Sequence, residues 1–219
     1  MRIAFRCLIV LLPGILLSSP AGAQQSARPS VDPIWSVLAA GNQRFVGGKP
    51  QPRDAVARRK ELASTQNPHA AVLSCSDSRV PPEVVFDQGL GDLFVVRSAG
   101  ESADPLSVGS LEYAVEHLGT TEIVVMGHQH CGAVTAACGG EKAESPNLLA
   151  VVSPITSSCA TADKKQADPM DLPIKDHVHS VAMALLAKSP MLKHAVTEHK
   201  LTIVEAYYSL DTGVVTKLR

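Results

Sequence analysis

Four short apolar runs punctuate the chain: Ala70–Ser74, Leu93–Val96, Thr121–Met126 and Leu201–Tyr208. They constrain its fold more than any other feature. Each is too short for a core helix and rich enough in aliphatic residues for a strand buried on both faces. The stretches between them have helical spacing. Strands that alternate with helices predict an α/β fold, a mainly parallel sheet core flanked by helices on both sides.

The helical stretches carry start and stop signals. Asp32-Pro33 opens the first, with Asp as N-cap and Pro at the first helical position. Trp35, Leu38 and Phe45 recur along it, and Gly47-Gly48 ends it. A charged helix is predicted over 54–64. The next, over 106–118, places Leu106, Gly109, Tyr113 and His117 on one stripe. Another should begin near Gly132. Residues 139–171, rich in Ala, Ser, Pro and charge, read as mostly loop with a helix around 148–157. A long amphipathic helix over 174–188 and a short one from Pro190 follow. After the turn Asp211-Thr212-Gly213, residues 214–218 read as an edge strand.

Ahead of all this lies an export signal. Arg2 and Arg6 precede the apolar run 8–17, and Ala21-Gly22-Ala23 has the small-x-small pattern of a signal peptidase site. Residues 1–23 are therefore expected to be a signal peptide, 24–31 a loose leader and 32–219 one domain in the periplasm. The apolar run is too short to span a membrane, and its one cysteine, Cys7, lies before it, so no lipid or membrane anchor is expected after cleavage. The formal net charge is −1 with no basic block, which argues against nucleic acid as a partner.

Two motifs carry chemistry. Ser74-Cys75-Ser76-Asp77-Ser78-Arg79 follows the first strand, and Gly127-His128-Gln129-His130-Cys131-Gly132 follows the third. In an open parallel sheet, ligands gather beyond the C-terminal strand ends, so the two can meet. Two thiolates and an imidazole, from Cys75, Cys131 and His128, make a three-ligand set for Zn2+ that leaves a fourth position open. His128 and Cys131 are three apart, as on one face of a helical turn. Gly127 and Gly132 would let the backbone pass close to the metal. Asp77 could accept a proton from an activated water, and Arg79 could orient Asp77 and keep it off the metal. A purely structural zinc module would need a closed four-ligand shell and no such pair.

Cys-Ser-Asp-Ser-Arg followed by His-x-x-Cys-Gly resembles the β-class carbonic anhydrases. Further matches are Phe94-Val95-Val96-Arg97, Glu112-Tyr113-Ala114-Val115 and the stretch from Ala206-Tyr207-Tyr208 to Thr212-Gly213. The resemblance runs from about Trp35 to the C-terminus. It implies Zn2+ on Cys75, His128 and Cys131, and a catalytic dyad of Asp77 and Arg79. It also implies reversible hydration of CO2 to bicarbonate by zinc-bound hydroxide, in a homodimer or higher homo-oligomer. The N-terminal helix would reach onto a partner subunit, and active sites would lie at the dimer interface. Related folds that act on CS2 or COS would carry the same metal site.

One branch of the family has a regulatory bicarbonate pocket built on a Trp three residues before the first Cys ligand. Val72 stands there in this chain, although Arg97 and Tyr113 match the pocket's other members. Gln66, nine residues before Cys75, points to the plant-like branch, with Gln66, Phe94, Tyr113 and Gly132 lining a small CO2 pocket. Ser98-Ala99-Gly100-Glu101 departs from the family pattern. His130 is expected at the pocket rim or in solvent, and His177, His179, His194 and His199 at the solvated surface. Cys138 and Cys159 are equally compatible with free thiols and with a disulfide.

Overall fold

A computed structural model describes residues 33–140, 142–162 and 165–219. The expected signal peptide, leader and Asp32 cap lie outside the described residues. Five strands form one sheet: β1 (Ala70–Cys75), β2 (Leu93–Ser98), β3 (Glu122–His128), β4 (Thr202–Tyr208) and β5 (Val215–Lys217). The order is β2-β1-β3-β4-β5; the first four are parallel and β5 is antiparallel to β4. From β1 the chain runs to β2 on one side and then to β3 on the other. Where the winding reverses, the C-terminal ends of β1 and β3 splay open a crevice.

The helices are α1 (Pro33–Val46), α2 (Ala55–Glu61), α3 (Pro82–Val85), α4 (Pro105–Glu116), α5 (Gly132–Gly139), α6 (Pro146–Val152), α7 (Asp171–Lys188) and α8 (Pro190–Thr197). A 3-10 helix over Ser153–Thr161 continues α6. Asp54, Asp104, Ser145 and Ser189 cap their helices through side-chain oxygens. The loop-rich 139–171 stretch thus holds more helix than expected.

Strand alternation sorts the core into two layers. Ala71, Leu73, Ile123 and Val125 face α4, α7 and α8 through Leu111, Val178, Val181, Leu185 and Leu192. Val72, Val124, Met126 and Val204 face the other way, onto Ile34 and Leu38 of α1 and Phe86 after α3. Full burial of each such side chain contributes roughly 1.5–3 kcal/mol before entropy is counted. Trp35 sets its ring edge-on to Phe86, centroids 6.3 Å apart.

The stripe Leu106, Gly109, Tyr113, His117 is not the buried face of α4: Leu106 is 84% exposed and Tyr113 48%. The buried face is Ser107, Val108, Leu111 and Ala114, because Asp104 fixes the helix start and α4 lies with those residues down on the sheet. On α1, Ile34 and Leu38 are fully buried against the chain's own sheet, while Val37 and Val46 stay exposed.

Candidate metal centre

Cys75 is the last residue of β1 and His128 the last of β3. Cys131 is the N-cap of α5, contributing no side-chain cap bond. His128 and Cys131 therefore sit on a strand end and a helix start rather than on one helical turn. Gln129 and His130 make the turn between them, with His130 at φ +54°. Gln129 pins it: its N–H donates to Tyr208 O at 2.8 Å, and its side chain meets Asp211 Oδ2 at 2.7 Å and Ser209 Oγ at 3.1 Å.

The three ligand atoms of Cys75, His128 and Cys131 lie within 4.8 Å of one another, and all three residues are buried. Nδ1 of His128 donates to Gln129 O at 2.9 Å. That bond leaves the lone pair on Nε2, which is buried and has no hydrogen-bond partner. Cys75 and Cys131 remain free thiols. An orphaned imidazole nitrogen facing two unbridged thiols is a donor set that fits Zn2+.

The electrostatics agree. A hydrogen bond from Cys131 brings the Cys75 thiol well below its usual value, against the cost of burial and helped by His128 and the Gly100 N–H. Gly100 N lies 3.4 Å from Cys75 Sγ. The same bond, with burial and the nearby Glu101, pushes the Cys131 thiol up. A divalent cation in place of that proton supports both thiolates.

Asp77 lies beside this cluster, Oδ2 4.0 Å from His128 Nε2. Arg79 grips it by a fork, Nε to Oδ1 at 2.9 Å and Nη2 to Oδ2 at 2.7 Å, and the Arg79 backbone N–H adds a third bond to Oδ1 at 2.9 Å. The Arg79 bond, which outweighs burial, holds the Asp77 carboxyl well below the usual carboxylate range. It stays ionised, an acceptor turned toward Arg79.

Several residues around the centre escaped sequence reasoning. Glu101, at φ +34°, is fully buried and neither of its carboxyl oxygens has a partner. Burial, then the charge of Cys75, pushes its carboxyl well above the usual range. The only hint was the departure of residues 98–101 from the family pattern. His177 is not at the surface: it is buried on α7 with Nε2 2.8 Å from Gly100 O. Its place beside Ile174, Val178 and Val181, at helical spacing, was the missed signal. Gly127 is needed for packing rather than for the metal, since a Cβ there would come within 2.5 Å of Val178 Cγ2. His130 is exposed, with Nδ1 3.3 Å from Asp168 Oδ2, and His179 pairs with Glu205 at 2.8 Å. Cys138, at the end of α5, is disulfide-bonded to Cys159.

The predicted pocket residues separate within one chain. Gln66 and Tyr113 line an open cleft of about 550 Å³ with Leu62, Thr65 and His117, and Phe94 packs its ring 6.4 Å from that of Tyr113. None of the metal-ligand residues lines this cleft. Gly132, by contrast, is the first residue of α5, directly after Cys131.

Residues 70–215 match the family model described as carbonic anhydrase. Carbonic anhydrase 2 of Mycobacterium tuberculosis is 40% identical over 191 residues, covering 84% of this chain and 92% of that protein. The carbonic anhydrase of Mycolicibacterium smegmatis is 38% identical over 84% of this chain and 93% of its own length. Among solved structures, the Coccomyxa β-carbonic anhydrase in complex with acetazolamide superposes with a TM-score of 0.67 at 24% identity, covering 86% of both chains. The two tetrameric β-carbonic anhydrases of Sordaria macrospora are represented at a TM-score of 0.65, 23% identity, 84% of this chain and 96% of that one.

Proposed function

The chain belongs to the β-class carbonic anhydrases, and from that premise we propose that it interconverts CO2 and bicarbonate with Zn2+ on Cys75, His128 and Cys131 and with Asp77 and Arg79 as its working pair. The observation that carries this reading is the orphaned Nε2 of His128, facing two free thiols, with an Arg79-held carboxylate 4.0 Å away. Zn2+ in such a site supplies a Lewis acid that brings the pKa of water toward neutrality.

The chain's own residues do the rest. Asp77, ionised and unable to donate, accepts a hydrogen bond from the reacting water and aims its lone pair at CO2. Arg79 holds Asp77 in that orientation by its fork and keeps the carboxylate from turning onto the metal. Gln129, through Tyr208, Ser209 and Asp211, fixes the turn that spaces His128 from Cys131. The proton released in hydration leaves to buffer.

We further read the enzyme as a homodimer or larger assembly of the plant-like branch. Among the described residues, the outer edge of β2 has no neighbouring strand, and Leu106 and Tyr113 lie exposed on α4 above it. In a second copy's site, Gln66, Phe94 and Tyr113 would line the CO2 pocket that Gly132 borders from its own chain. Export to the periplasm fits the N-terminal signal pattern and the Cys138–Cys159 disulfide. Among the described residues, no helix is long and apolar enough to cross a membrane.

Stopped-flow CO2 hydration on the purified mature protein, with zinc measured on the same sample, tests the activity. Fast turnover at neutral pH with one zinc per chain is expected. Full zinc without turnover at any pH would overturn it. Fractionation of expressing cells, with N-terminal sequencing, tests export: a chain beginning at Gln24 in the periplasmic fraction is expected.

A further inference from the structure

The segment that carries both a metal ligand and the dyad, Cys75-Ser76-Asp77, leaves β1 and crosses open crevice. Among the described residues, strand pairing ends at Cys75, so Asp77 lies beyond the ladder. What fixes the segment comes from the end of β2. The Ser76 N–H donates to Ser98 O at 2.9 Å, and the Gly100 N–H reaches Cys75 Sγ at 3.4 Å. The third attachment is a side chain. Arg97, in register with Ser74 of β1, donates from Nε to Cys75 O at 2.9 Å and from Nη2 to Asp77 O at 2.5 Å.

Among the described residues, Arg97 makes no ion pair, and two of its donors go to main-chain carbonyls. The carbonyls are those on either side of Ser76, so one planar guanidinium spans the backbone between a ligand and the dyad acid. Asp77 O also accepts the Val80 N–H at 3.0 Å. Turning the Asp77 peptide, the motion that would carry its carboxylate off Arg79, would break both the Arg97 and the Val80 bonds. Bonds from a charged donor to a carbonyl are stronger than neutral ones, and the fork geometry fixes direction as well as distance. The resemblance matched Arg97 to an anion pocket, whereas its donors here are aimed at the chain's own backbone.

We propose that Arg97 is a positioning residue for CO2 hydration, acting through the backbone of Cys75 and Asp77 to keep the Asp77 carboxylate aimed at once at Arg79 and at the metal pocket. This rests on the reading in which Asp77 serves the reaction. Arg79 orients the carboxylate from its side-chain end and Arg97 from its main-chain end.

The test is kcat and KM for CO2 hydration by the zinc-loaded Arg97→Ala, Arg97→Lys and Asp77→Asn enzymes, with zinc content measured on each. Arg97→Ala should keep its zinc and its KM and lose about tenfold to a hundredfold in kcat, the scale of a small misplacement of a reacting group. Arg97→Lys, whose ammonium reaches one carbonyl but not both, should recover part of that loss, and added methylguanidinium should partly rescue Arg97→Ala. A kcat in Arg97→Ala within about twofold of wild type overturns the proposal. So does a loss that tracks lost zinc and that neither Lys nor methylguanidinium relieves. Should Arg97→Ala fail to fold, Arg97→Gln is read by the same criteria. Wild-type turnover in Asp77→Asn would sink the reading of Asp77 itself; an inactive Asp77→Asn beside a fully active Arg97→Ala would sink only the role of Arg97.

Discussion

Two aspartates in this chain are each held by arginine, ten residues apart, and they have opposite settings. Asp87 is sealed: its side chain is 4% exposed, Arg44 and Arg53 each meet one oxygen at 2.5 Å, and the Gln51 N–H adds a bond at 3.1 Å. Asp77 is held by Arg79 alone, its side chain is 18% exposed and Arg79 is 54% exposed. Burial by itself would push Asp87 up; the Arg53 and Arg44 guanidiniums outweigh it and hold the carboxyl below its usual range. Arg79 does the same at Asp77. The ion pair is therefore no mark of catalysis. What marks Asp77 is its neighbour, an unpartnered imidazole nitrogen 4.0 Å away, and a free approach for water. One aspartate ties loop to frame, and the other stands beside the Cys75, His128 and Cys131 cluster, where the proposed function puts it to use.

Exchanging each aspartate for its amide breaks the comparison most directly. Asp77→Asn should lower kcat by about 10²–10⁴-fold, the range for a lost acid–base group, with zinc content and melting temperature near wild type. Asp87→Asn should do the reverse. Leaving two arginines without their carboxylate costs about 3 kcal/mol, read by urea unfolding, while turnover per zinc-loaded folded chain stays within about twofold. Because the folded pKa of Asp87 is depressed, its stabilisation is present above the unfolded value and is lost as pH falls through the folded one. Unfolding of Asp87→Asn should accordingly depend less on pH in the acid range. Loss of turnover without loss of stability in Asp87→Asn would erase the distinction.

The two cysteine pairs repeat the lesson at smaller scale. Cys75 and Cys131 are free and buried at the metal pocket, whereas Cys138 and Cys159 are bonded across a sequence separation of 21. That bond joins the end of α5 to the 3-10 helix whose Ile155 packs with Cys75 and Cys131. Replacing Cys138 and Cys159 by Ser should cost about 3 kcal/mol of stability by the loop-entropy estimate, and the loss should appear in thermal unfolding rather than in kcat. A fall in kcat at full zinc would move this disulfide from the frame to the site.

Much of this was legible in the sequence because periodicity and motif spacing are local. The four parallel strands, and the Cys75, His128 and Cys131 cluster at their ends, follow from local runs and motifs. What stayed hidden depends on distant contacts. The burial of His177 requires knowing that α7 lies against Gly100, and the role of Arg97 requires the β1–β2 register. Which face of α4 is buried could not be read, because Leu106 and Tyr113 are apolar yet exposed, and hydrophobicity alone does not separate a core face from a face awaiting a partner. The link between Cys138 and Cys159 needed coordinates, since spacing does not fix connectivity.

Glu122 supplies the finest test, at the end of β3 opposite the metal. It is buried, accepts from the Trp35 N–H in the first turn of α1 and feels Lys217 at a distance, yet burial prevails and raises its carboxyl to about 7. Its Oε1 has no partner. The folded state thus holds a proton that the unfolded chain releases near 4.5. Between those values the folded state binds more protons, so this group's contribution to stability falls as pH rises. Glu122→Gln keeps the shape and an acceptor for Trp35 but removes the titration. It should be more stable than wild type by on the order of 1–2 kcal/mol at pH about 8, and equal to it near pH about 5. Hydration kinetics of the two should coincide at both pH values, since the group sits at the far end of the sheet. A pH-independent difference in stability would mean that the carboxylate is stabilised by Trp35 and Lys217 more than burial opposes it, and a change in kcat would mean that the two ends of β3 are coupled.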